Sequence, residues 1–446
     1  MNATSRDEGL VRKVGPWGLA ASIVSIVVGA GIFSVPGALA KAVGPYAPLA
    51  FLACGLAIGA VAICFAEGGS RMPTSGGVYG YIESAFGPLT GYIAGMLLLV
   101  GDVLACGGIA AALADVAASV TGKSLTSTVH ATVIIGVVGG LALINIAGVA
   151  RAARFVSVTT ALKLIPLVIF VVVGCTRFDS SNFAHGAQGG THDLGRAAIL
   201  ALFSFIGMEA PLAASGEVAQ PSRTIPRALA IAMVSVTLIY VAVQVIAQGL
   251  LGASLAQSPA PLADAMGRIS PALRALMLAG AAVSMFGWIS SDLLGSPRML
   301  FAFARDGLLP RALRVLGMVH PRTQVPYVAI LTYAGVAAVL ALTGTFAELA
   351  ALATLTTAAL YALGCVAAWL LARRGVAVAG APLSFRWLGI ATCVGVGSML
   401  ALIALGSRRE IAGLASVIGL SMLLYFGARL EGVRQAARGR STKAGE

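Results

Sequence analysis

Apolar runs dominate the chain, separated by short polar segments. Crossing ~30 Å of hydrocarbon takes about 20 apolar residues in a helix. Twelve runs meet that length, near residues 17–40, 47–67, 88–119, 129–149, 154–174, 196–216, 226–251, 272–303, 326–344, 347–372, 386–406 and 411–428. The two-residue alternation of a β-barrel is absent. The pattern therefore predicts an all-α integral membrane protein with twelve transmembrane helices in one transmembrane domain spanning 1–446.

Composition agrees with this pattern. Hydrophobic residues make up 58% of the 446 positions, with 55 Gly besides. Charged residues are 11%, against about 25% in soluble domains. A disordered chain is excluded by its high hydrophobicity, and a soluble enzyme by the lack of charge to cover such a core.

The net charge of +13 suggests nucleic acid until the positions are read. The 30 Lys and Arg cluster in segments between runs, where they orient a membrane protein, and form no basic stripe. With both termini in the cytoplasm, twenty fall on the cytoplasmic side, among them Arg71, Arg223, Arg227, Arg305 and Arg373. Eight fall on the other side, and Lys163 and Arg298 lie within runs. No nucleic-acid partner is expected; membrane lipid is.

Arg12 and Lys13 ahead of the first run, with Ala38-Leu39-Ala40, imitate a signal-peptide cleavage site. The run is too long for a signal peptide, so it is read as a span. The polar gap 175–195 reads as an external loop and 304–325 as a basic cytoplasmic connector. Residues 429–446 read as a cytoplasmic tail. Six cysteines without CxxC spacing read as small buried hydrophobes. Four histidines lie near loops without ligand spacing, so no metal and no cofactor is expected.

Two runs contain sequence that a plain helix avoids. The first has Gly29-Ala30-Gly31-Ile32-Phe33 and then Pro36-Gly37; the sixth has Phe205-Ile206-Gly207-Met208-Glu209-Ala210-Pro211 and then Gly216. Gly and Pro loosen the helical hydrogen-bond ladder. Unpaired backbone at membrane depth survives only where it is buried in protein or lines a cavity. Close helix packing is the plainer use of small residues. The paired occurrence, with an acid in the second break, points instead to a transport site between two halves. Open amides at a half-helix N-terminus attract an anion, and open carbonyls at a C-terminus attract a cation. Together they suit the zwitterionic head of an amino acid.

These segments resemble the amino acid–polyamine–organocation family of transporters. Gly29 through Phe33 is similar to that family's first-helix motif. Glu67-Gly68-Gly69-Ser70-Arg71-Met72-Pro73-Thr74-Ser75-Gly76-Gly77-Val78-Tyr79, continuing to Ala85-Phe86-Gly87-Pro88, is similar to its loop between spans 2 and 3. Phe203 through Glu209, Gly216-Glu217-Val218-Ala219-Gln220-Pro221 through Arg227, and Arg305-Asp306-Gly307-Leu308-Leu309-Pro310 extend the likeness to about residue 345. The resemblance implies a leucine-transporter-like fold: inverted five-span repeats over 15–174 and 196–372, then two appended helices over 386–428. It implies a substrate carboxylate on amides near Ala30 and Gly31, and an ammonium at carbonyls near Val27, Phe203 and Ile206. Gly29, Gly31 and Gly207 mark the helix breaks. Trp288 matches an aromatic that closes the site. Phe203 stands where relatives for basic amino acids carry a gating Trp.

A charge at the bilayer centre costs about 2.5–3.5 kcal/mol on insertion scales and therefore marks function. Glu209 in the second break is the proton-coupling candidate, and the resemblance implies the same for Lys163, in the place of a sodium ion between spans 1 and 8. Ser290 and Ser291 are the opposing, sodium-ligand reading. Asp102 meets either the substrate or Lys163. Asp292 is a gate or faces Arg298. Glu67 and Glu83 lack a nucleophile and base, so they are read as structural or gating groups rather than catalytic ones.

The expected function is secondary active transport of amino acids by alternating access, as proton symport or substrate antiport, in a bacterial inner membrane. Cationic amino acids or polyamines compete with neutral amino acids as cargo. A non-transporting sensor of the same fold is a further alternative. A monomer and a homodimer are both compatible with the sequence.

Overall fold

The computed structural model describes residues 14–443 apart from 73–76, 122–126, 148, 184–190, 213–217 and 379–381. Side chains at 118–127, 149–161, 191–193 and 432–443 are likewise outside the description. Parts of the motifs named above, Pro73–Gly76 and Gly216–Glu217, fall outside the described residues, as do Arg12, Lys13 and the side chains of the tail beyond Glu431.

Every apolar run is helical. The first becomes two helices, α1 (Pro16–Val27) and α2 (Gly31–Val43). Then come α3 (Ala47–Arg71), α4 (Gly77–Phe86), α5 (Pro88–Thr121), α6 (Ser127–Ile146) and α7 (Val149–Gly174). The sixth run becomes α8 (Thr191–Phe203), a turn and α9 (Glu209–Leu212). The remainder is α10 (Pro221–Leu251), α11 (Pro261–Gly267), α12 (Pro271–Arg305), α13 (Tyr327–Thr343), α14 (Phe346–Arg373), α15 (Leu388–Ala404) and α16 (Arg408–Lys443). The short α4 and α11 escaped the hydropathy pattern because neither is long enough to register as a run. Among the described residues seven stretches are long and apolar enough to cross a membrane. The molecule is a multi-pass, all-α membrane protein.

Its core is built from small residues that let helices approach. Gly55 of α3 lies against Thr237 of α10, Gly107 of α5 against Leu340 of α13, and Gly280 of α12 against Pro166 of α7. Such contacts supply van der Waals packing where lipid removes the hydrophobic drive between helices. Leucines and valines turned outward toward lipid, such as Leu56, Leu238 and Val339, remain exposed.

One polar knot anchors an end of the bundle. Arg71 pairs with Glu67 at 2.7 Å, and both are buried. Phe385 N donates to Glu67 at 3.0 Å, and Arg71 Nη1 donates to Val376 O at 3.2 Å. The segment between α14 and α15 is thereby fastened to the end of α3. Glu67 thus makes structural contacts. The cysteines divide: Cys54, Cys64, Cys106 and Cys365 are buried, as expected, while Cys175 and Cys393 are exposed, and all six are free thiols.

Candidate functional site

Both expected interruptions are present. Residues 28–30 leave the helical path between α1 and α2, and residues 204–208 do so between α8 and α9. Each is closed by short local bonds: Gly29 N donates to Val27 O at 2.8 Å, and Ile206 N donates to Phe203 O at 3.3 Å. The amides of Ala30, Gly31 and Ile32 open α2, where a helix leaves its first donors without intrahelical acceptors.

The breaks face each other at close range. A Cβ on Gly31 would lie 2.9 Å from the Cα of Ser204. One on Gly207 would lie 2.8 Å from Ile26 Cγ2, and Gly207 has φ +117°, a conformation that side chains disfavour. The Tyr240 hydroxyl of α10 sits 2.9 Å from Val27 O and 2.8 Å from Ser204 O, sharing its proton between the two breaks. Trp288 of α12 packs its ring edge on Gly29, 3.1 Å from where a Cβ would stand. Thus Val27, Gly29, Ala30, Gly31, Phe203, Ile206, Gly207 and Trp288 belong to one neighbourhood.

Glu209 begins α9 and is buried. Its Oε2 accepts from Gly207 N at 3.2 Å and from the Tyr361 hydroxyl of α14. The carboxyl is therefore wired to the backbone of the break itself. Phe203 packs edge-on against Phe346 with ring centroids 5.5 Å apart, giving this side an aromatic wall.

Lys163 is buried and donates to Ser25 O in the last turn of α1. It does not pair with Asp102, because the carbonyl at the end of α1 takes its ammonium. Asp102 Oδ2 instead lies 2.7 Å from Ser296 Oγ, within hydrogen-bond distance. Asp292 accepts from Ser296 at 2.8 Å and from Tyr333 at 2.8 Å. It does not face Arg298, whose Nη atoms are buried without a partner among the described residues. Ser290 Oγ on α12 is likewise buried and unpartnered there.

Tyr240, Ser204, Tyr361, Ser296 and Tyr333 were missed in the sequence. A tyrosine in the middle of an apolar run was the available signal, since a buried phenol hydroxyl seeks a partner. Among the described residues no three His, Cys, Asp or Glu converge as a metal site would require. Two cavities lie away from the breaks. One of ≈680 Å³ runs between α3, α10 and α15, and one of ≈990 Å³ between α5, α6 and α12.

Facing broken helices inside an all-α membrane protein define a solute transporter. The chain matches the amino acid permease family over residues 14–425 and belongs to it. It is 35% identical over 327 residues to an uncharacterized transporter of Mycobacterium tuberculosis, covering 71% of this chain and 70% of the relative. A branched-chain amino acid permease of Bacillus subtilis is 27% identical over 83% of each chain. A methylthioribose transporter of the same organism is 26% identical over 80% of each. The protein is a secondary active transporter of amino acids or similar solutes, and not an enzyme.

Proposed function

We propose that the chain carries a neutral, apolar α-amino acid by alternating access, coupled to protons. The facing breaks carry this reading. Amides of Ala30 and Gly31 receive the carboxylate, and carbonyls at Val27, Phe203 and Ile206 ring the ammonium. Tyr240 fixes the spacing of the two breaks through Val27 O and Ser204 O. Trp288 closes over Gly29, and the Phe203–Phe346 wall receives the side chain. Glu209 and Lys163 carry the coupling: each holds backbone at a break, so a change in its charge alters that break's geometry.

In this reading α1 with α2, and α8 with α9, are single interrupted spans among twelve. Residues 15–174 and 196–372 form the inverted repeats, 386–428 the appended pair and 429–446 a tail. Both termini lie in the cytoplasm of a bacterial cell. A neutral cargo is favoured because Glu209 and Asp102 are both engaged by hydrogen bonds within the protein, leaving neither carboxyl aimed at a substrate amine. The likeness to a branched-chain amino acid permease also supports it.

The test is uptake by the purified protein in proteoliposomes. Labelled leucine, isoleucine and valine enter faster with an inward proton gradient than without one, and lysine, putrescine and agmatine do not compete. Lysine or putrescine as the sole cargo would replace this reading with cation exchange. Binding without flux would make the chain a sensor.

A further inference from the structure

Helices α5, α12 and α13 pack together and bring Asp102, Ser296, Asp292 and Tyr333 into one line of oxygens. Ser296 Oγ is 2.7 Å from Asp102 Oδ2 and 2.8 Å from Asp292 Oδ1. Both are hydrogen-bond distances, yet a serine hydroxyl has one proton to give. It donates to one carboxylate oxygen. The other short contact requires a carboxyl that donates to the serine. With both acids ionised, one contact would set lone pair against lone pair. At least one of the two is therefore a carboxylic acid.

Charge leads to the same result independently. Asp292 is buried, and neither acid takes part in an ion pair among the described residues. Arg298, two residues beyond Ser296, points about 200° around the helix from it and makes no bond to either acid. Two uncompensated carboxylates at this depth are far costlier than one, and a bound proton removes the second charge.

The donors also distinguish the two acids. Asp292 receives Ser296 on one oxygen and Tyr333 on the other, an arrangement that suits the anion. Asp102 then holds the proton and donates it to Ser296. Asp102 is half-buried and Asp292 buried, so Asp102 is the more exposed end of the pair. Cys106 of α5 bonds to Asp292, and Glu209 at the second break is the further acid that faces Asp102.

We propose that Asp102, Ser296 and Asp292 form a proton-binding relay, separate from Glu209, whose proton is exchanged during the transport cycle. Within the relay, the Asp102 proton moves to Ser296 Oγ as the serine's own proton passes to Asp292 Oδ1. Charge crosses from one acid to the other with no net gain or loss. The link to the cycle rests on the transport reading above; the shared proton does not.

Infrared spectroscopy of the purified full-length protein separates the two. A carboxylic-acid carbonyl band that shifts in D₂O is expected at neutral pH, lost in Asp102→Asn and retained in Glu209→Gln. Asp102→Asn keeps the network, since its amide donates to Ser296 as the acid did. In proteoliposomes the effect of pH on substrate affinity shrinks about fivefold or more in Asp102→Asn. An unchanged band or an unchanged pH profile in Asp102→Asn overturns the proposal, as does uptake that follows sodium and ignores pH. A wild-type protein that carries no amino acid yet loses the band in Asp102→Asn defeats the transport reading and leaves the shared proton in place.

Discussion

The first break, at 28–30, has no ionisable side chain of its own; the second, at 204–208, is tied to a carboxylate. The first is shaped by what glycine leaves out: Gly29 admits the Trp288 ring and Gly31 admits Ser204. The second is shaped by what Glu209 holds, namely Gly207 N and Tyr361. The difference suggests a division of work. A break formed by missing side chains takes its shape from packing and can act as a cradle, with Lys163 reaching only Ser25 O in the helical turn before it. A break held by a carboxyl changes its bonds when the proton comes or goes.

Substitutions can separate these roles. The largest effect is expected for Gly31→Ala, because the new methyl meets the backbone of Ser204, which cannot rotate away. Overpacking of this kind costs about 1–3 kcal/mol. A lower melting temperature is expected, together with loss of the thermal stabilisation that leucine gives the wild type. A variant that still binds leucine like the wild type would remove the first break from the cradle role.

Glu209→Gln should leave that stabilisation in place, since the amide oxygen can still accept from Gly207 N. The pH dependence of uptake should weaken about fivefold or more, the range of ordinary coupling energies. A pH profile identical to wild type would leave the second break with a structural role alone.

Tyr240→Phe tests what joins the two breaks. Removing the shared hydroxyl should cost about 1 kcal/mol in thermal or denaturant unfolding and raise KM on both sides of the membrane. A change confined to one side would argue that Tyr240 serves one break only. The smallest effect is expected for Gly29→Ala, whose methyl meets the edge of the half-buried Trp288 ring. The indole can turn aside for about 0.5–1.5 kcal/mol, read as a slight loss of leucine affinity. If Gly29→Ala proved as damaging as Gly31→Ala, Trp288 would be a fixed wall rather than a movable cover.

Much of this arrangement was legible beforehand. The apolar runs are helical where they are described, seven of the stretches with the length to cross a membrane, because hydrophobicity along the chain is a local property. Both interruptions showed as Gly and Pro where helices avoid them, because the loosening of a backbone is also local. Partnership was not legible. Asp102 had two credible partners in the sequence, a substrate and Lys163; it does not meet Lys163, and its contact is Ser296, 194 positions away. Lys163 reaches a backbone oxygen, which no residue type announces.

The sequence by itself determined the class of protein, the course of its helices and the two points where they break. Solvent preference and backbone freedom belong to each residue and its near neighbours. Only the tertiary structure decided which polar groups meet at those breaks and which acids share a proton. Hydrogen bonds act over about 3 Å, and helices remote in the chain must pack before their side chains come within that distance.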